Sequence, residues 1–153
     1  PSGKSRKVLK ERLLGYWKLL SWEVRRADGV VTYPFGPEPR GLLVYGANGL
    51  MSAQLGDPRR PRFAANDRAL GTSDELKAAF EGYTAYFGRY EVVEDPARPA
   101  VIHYPELSLF PNYTGSKQVR YIEIEGDRLT LSTDPISYQG QPQTYVLVWE
   151  KLN

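Results

Sequence analysis

The sequence predicts an all-β domain, an antiparallel barrel of about 8–10 strands with one short lid helix and a short N-terminal helix. Three observations predict it. Short runs rich in Val, Ile, Tyr and Trp recur along the chain, each bounded by turn residues. The chain holds 14 Gly, 12 Pro and 11 Tyr, so turns and aromatic strand residues are both plentiful. Most connections are short, which favours sequential antiparallel pairing, and about eight or more such strands usually close to remove their edges.

The elements follow in order. Val8, Leu9 and Leu13 have a short helical spacing, and Gly15 would end that helix. "YWKLLSWEVRR" is an aromatic-rich strand that runs into the hairpin signal Asp28-Gly29, and "VVTY" returns. Residues 34–41, "PFGPEPRG", form a loop, since their three prolines cannot donate to a ladder. "LLVYG" and "LMSAQL" are strands joined through Asn48-Gly49, and "GDPRRPRFAAND" is a long basic loop. Thr72 and Glu75 form a capping box, and Leu76, Ala79, Phe80 and Tyr83 continue at helical spacing. "YTAYFGRYEVV" is a long strand with Gly88 as a bend or bulge. "AVIHYPELSLF", "KQVRYIEIE", "LTLS" and "TYVLVWEK" are the remaining strands, with "TDPISYQGQPQ" read as loop.

With 153 residues the chain is expected to form a single domain, 1–153, with 1–13 a basic helical segment or in part a foreign remnant. The absence of cysteine excludes disulfides and thiolate metal sites, and one histidine excludes a multi-histidine zinc site. No Asp/Glu cluster invites a hard cation, so neither metal nor cofactor is expected. No glycine-rich phosphate loop opens a helix, which argues against nucleotides. The net charge of +2 is too small to argue for nucleic acid. Residues 1–26 carry eight Lys or Arg against Glu11 and Glu23, an excess read as a solvated face. No apolar run approaches the roughly 20 residues of a membrane span, and no secretory leader is visible. A cytoplasmic protein is expected, and the sequence leaves a homodimer open.

The segments "GYWKLLSWEVRRADGVVTYPFG", "GLLVYGANGLMSAQL", "FEGYTAYFGRYEV", "PNYTGSKQVR" and "GDRLTLST" occur in that order. Together they resemble the lipocalin-like domain family, small stand-alone barrels of bacteria and fungi, from Leu14 to Lys151. The resemblance implies a calycin-type barrel with a ligand-sized cavity. It implies that Trp17, after Gly15, plugs the closed end with a basic residue from the last strand against it, here Lys151. The chain departs from the family pattern at His103-Tyr104, where paired histidines are common, which argues against two-histidine chemistry. Tyr113 and Lys151 stand where tryptophan and arginine are common. Some such barrels occur in secondary-metabolite pathways and a few act as cyclases, an analogy at the level of fold.

The chemistry-bearing candidates are few. His103 and Glu106 lie three apart on one strand, which puts them on opposite faces unless the strand bulges at Pro105. With a bulge they become an acid/base pair; without one, one faces solvent. Arg120 shares a face with Gln118, Ile122 and Ile124, so it is expected inside. There it either pairs with Glu106 or awaits a ligand carboxylate or enolate. Tyr45, Ser52, Gln54, Tyr83, Tyr86, Tyr90, Asn112 and Gln118 are candidate lining groups, and Arg59, Arg60 and Arg62 candidate steering charges. The expected function is binding of a small, largely apolar, oxygen-bearing molecule. The alternative is a cofactor-free isomerase, cyclase or hydrolase, with His103 and Glu106 moving a proton and Arg120 stabilising an oxyanion.

Overall fold

A computed structural model describes residues 8–152. The part of the N-terminal segment from 1 to 7 lies outside the described residues. The elements are α1 (Leu9–Leu13), β1 (Gly15–Arg26), β2 (Val31–Thr32), β3 (Arg40–Tyr45), β4 (Leu50–Gly56) and α2 (Ser73–Glu81). There follow β5 (Tyr83–Val93), β6 (Ala100–Ser108), a 3-10 turn (Pro111–Tyr113), β7 (Gln118–Glu125), β8 (Arg128–Ser132), β9 (Ile136–Tyr138) and β10 (Gln141–Leu152).

Neighbouring strands pair in the order β2-β1-β3-β4-β5-β6-β7-β8-β10-β9, and β1 also pairs with β10. That last pairing closes a barrel of eight strands, leaving β2 and β9 as short extensions. Closure removes the two edges that an open sheet of this length would expose. All pairings are antiparallel.

Three local corrections follow from the backbone. Gly15 does not end α1 but opens β1 at φ +110°, after the helix has stopped at Leu13. Tyr83 opens β5 rather than closing the helix face. The stretch 133–143 is not all loop: Ile136–Tyr138 pairs with Gln141–Gln143. The turn between them has Gln139 at φ 52° and Gly140 at φ 77°, the left-handed pair that a tight hairpin requires.

Two bulges set which side chains face inward. In β1, Leu19 pairs with Trp149 and Ser21 with Val148, so Leu20 is the extra residue. The extra residue shifts the alternation by one, and Trp17, Leu19, Trp22 and Val24 are all buried. In β6, Leu107 pairs with Phe87 and Pro105 with Gly88, which leaves Glu106 as the extra residue. Gly88 is what permits that bulge. A Cβ there would stand 2.0 Å from the Tyr104 carbonyl oxygen.

The barrel has a closed end and an open one. At the closed end the Trp17 Nε1–H donates to the Leu13 carbonyl at 2.8 Å. The Lys151 ammonium stands 4.6 Å from the centre of a Trp17 ring and donates to the carbonyls of Arg12 and Leu14. This one cation therefore ties α1 across the barrel bottom. Leu13, Trp17, Leu43 and Leu129 are almost wholly buried, each worth about 1.5–3 kcal/mol of apolar transfer. At the open end, β2 and β9 extend the hairpins of β1 and β10, and α2 connects the ends of β4 and β5. The capping box of α2 is formed at both bonds, and the helix has no buried residue. Among the described residues no helix is long and apolar enough to cross a membrane.

Candidate functional site

The barrel interior contains a cavity of about 400 Å³. Its walls are mostly apolar: Trp22, Phe35, Leu43, Leu55, Leu131 and Trp149 among others. Phe80 and Glu81 of α2, with Ile136 to Gln139, line its outer part. A pocket of this size and lining suits a small organic molecule.

His103 lies deep in this interior, 2% exposed. Its Nε2 is 2.6 Å from the Tyr45 hydroxyl and its Nδ1 is 2.6 Å from the Tyr86 hydroxyl. Burial, reinforced by the nearby Arg120 charge, lowers its pKa from 6.5 to about 3, so the ring is neutral at ordinary pH. Burial likewise raises both tyrosines, Tyr45 well above its ordinary value, so each keeps its proton. Tyr86 and His103 line the cavity, and Tyr45 supports them from behind.

Arg120 is 8% exposed and also lines the cavity. The strand periodicity explains this: Arg120 and Ile122 are buried two residues apart on β7. The guanidinium donates to the Val119 carbonyl at 3.1 Å and to Gln118 Oε1 at 3.3 Å. Gln118 donates in turn to the Ser116 hydroxyl, so it holds the arginine from beside the cavity. Among the described residues no carboxylate pairs with Arg120.

The bulge at Pro105 exists but does not bring His103 and Glu106 together. Glu106 is the looped-out residue and is exposed, while Pro105 takes the inward position. The acid/base pair and the Glu106–Arg120 ion pair therefore do not form. Ser52 and Gln54 alternate with the inward Met51, Ala53 and Leu55 and lie on the outer face. Asn112 is exposed on the 3-10 turn. Tyr83 stands at the rim, where its hydroxyl donates to Gln54 Oε1. Tyr90 is buried and donates to the Gly46 carbonyl at 2.8 Å, which makes it part of the core rather than the cavity. Arg59 is paired with Asp57, and Arg60 stacks on Tyr83 at 4.9 Å while donating to the Ala79 carbonyl.

Several cavity residues were not singled out as candidates. Tyr145, Leu147 and Trp149 alternate along β10, and the Trp22 ring meets Tyr145 edge-on at 5.5 Å. The period-two spacing of β10 carries that signal once its register is fixed. The indole nitrogens of Trp22 and Trp149 are buried without an acceptor among the described residues.

A model of the lipocalin-like domain matches residues 14–152. The chain is also similar to the 4'-hydroxy-3'-methoxypropiophenone carrier protein of Aspergillus oryzae, 38% identical over 107 residues, which is 67% of this chain and 96% of that protein. No solved structure matches. With the family match running from the end of α1 to the end of β10, this chain belongs to the lipocalin-like domain family.

Proposed function

We propose that the barrel binds a small, largely apolar, oxygen-bearing molecule and carries it unchanged, an aryl ketone being the class best supported. The observation that carries this is the cavity itself: apolar and aromatic walls around a few polar groups, Arg120, Tyr86 and His103. Membership of a lipocalin-like family and similarity to a protein named as a ketone carrier support small-molecule binding.

A second reading is a cofactor-independent isomerase, cyclase or hydrolase. Arg120 favours it, because a buried cation facing a cavity would stabilise an oxyanion. The rest of the machinery is weaker. Both ring nitrogens of His103 are occupied by tyrosines, and among the described residues no carboxylate orients it. A base whose conjugate acid has a pKa near 3 takes a proton poorly at neutral pH.

Calorimetric titration with 4'-hydroxy-3'-methoxypropiophenone tests the proposal, followed by chromatography of the recovered compound. One site per chain and unchanged compound are expected. Absence of binding contradicts the proposal. Conversion of the compound supports the enzyme instead.

A further inference from the structure

We propose that the cavity takes its ligand as an anion: an acidic phenol or enol conjugated to a carbonyl, its charged oxygen at Arg120 and a hydrogen bond donated by Tyr86. This inference rests on the binding function proposed above and names the class of ligand.

The first support is a buried cation that no carboxylate among the described residues pairs with. Arg120 bonds two neutral acceptors, the Val119 carbonyl and the Gln118 amide oxygen. A guanidinium has five N–H donors, so several remain for the cavity it lines. A desolvated cation is unfavourable until an anion joins it. The neighbouring tyrosines do not supply one, since burial holds Tyr45, Tyr86 and Tyr145 in their protonated forms. The missing negative charge has to come with the ligand.

The second support is the direction of the Tyr45–His103–Tyr86 chain. A neutral imidazole has one donor nitrogen and one acceptor nitrogen. The Tyr45 hydroxyl has no other partner among the described residues and does not line the cavity. It therefore donates to Nε2, since the reverse order would bury its proton without an acceptor. Nδ1–H then donates to the Tyr86 oxygen. The Tyr86 proton is left over, and Tyr86 lines the cavity. The chain thus presents a donor to the ligand, strengthened by the bonds behind it. Arg120, Tyr86 and His103 line the same cavity, so a ligand inside it meets both donors.

The other titratable groups around the cavity are Tyr83 of β5, Tyr113 of the 3-10 turn, Tyr138 of β9 and Tyr145 of β10. Glu81 is the carboxylate of the lining; it is exposed at the end of α2, where solvent and salt screen it. None of these offers a second positive charge, so selection of the anion falls to Arg120.

The test measures binding of 4'-hydroxy-3'-methoxypropiophenone across pH, followed by the absorption of its phenolate. The O-methylated 3',4'-dimethoxypropiophenone, which cannot ionise, is measured alongside. The acylphenol is expected to bind as phenolate below its free pKa. Its affinity then rises about tenfold per pH unit up to that pKa and is level above it. The dimethoxy compound binds more weakly, with a flat profile. Arg120→Gln removes the slope, and Tyr86→Phe weakens the acylphenol by about tenfold. Should either variant fail to fold, the two wild-type profiles still decide. An acylphenol bound in its neutral form with a flat profile overturns the proposal and leaves the binding function standing. Failure of both compounds to bind removes the binding function, and this inference with it.

Discussion

His103 is the only histidine in the chain, which makes its behaviour measurable without assignment. Nitrogen-15 NMR of the imidazole should show a proton on Nδ1 and none on Nε2; the opposite pattern would contradict the donor order from Tyr45. Its pKa also has a stability consequence. The unfolded ring titrates near 6.5 and the folded ring near 3. The folded chain therefore binds fewer protons in that window. The contribution of His103 is fully present above pH 6.5 and is lost as pH falls towards 3, by at most about 1.4 kcal/mol per unit. Urea unfolding of wild type and His103→Gln at pH 7 and pH 4.5 checks this. The wild type should lose more stability on acidification than the variant, and equal losses would mean His103 is not buried neutral. At this scale the sequence was partly legible. An arginine in register with isoleucines marked an inward position, whereas the face of His103 stayed open because it depended on a bulge. Glu106 was not legible, because Pro105 is compatible with a bulge without requiring one and does not show which residue would loop out.

At the scale of elements, Gly88 and Thr72 make opposite kinds of prediction. Gly88→Ala places a methyl carbon 2.0 Å from the Tyr104 carbonyl oxygen, between two paired strands that cannot both move. Loss of more than about 2 kcal/mol is expected in denaturant unfolding, and a neutral result would show that β5 and β6 are not joined by this bulge. Thr72→Ala removes one half of the capping box of α2. Because α2 buries no residue, the cost of about 1 kcal/mol should appear as local fraying. Hydrogen exchange should quicken in Ser73–Glu81 and stay unchanged in the strands. The capping box made this helix legible, just as Asn48-Gly49 announced the turn between β3 and β4. The β9 hairpin was hidden because its turn uses Gln139 in a left-handed conformation that this residue type rarely adopts.

The whole molecule divides into a sealed base and a hollow upper half. At the base, Trp17, Leu13 and Lys151 join the first helix to the first and last strands, where β1 and β10 pair to close the barrel. The upper half leaves a cavity instead of a packed core, with α2 and β9 beside its opening. The division was visible in the order of sequence segments from Leu14 to Lys151, but the cavity's wall depends on bulge positions and on β10 register. The central claim is that this interior is a binding site. Trp22 and Trp149 line it, so their fluorescence should report an occupant. Ala53 faces it from β4 and is 5% exposed. The most direct measurement is titration of 4'-hydroxy-3'-methoxypropiophenone into wild type and Ala53→Phe, both verified as folded by circular dichroism. Saturable quenching in wild type that is lost in the filled variant is predicted; quenching that survives in Ala53→Phe, or never saturates in wild type, would contradict a ligand held inside the barrel.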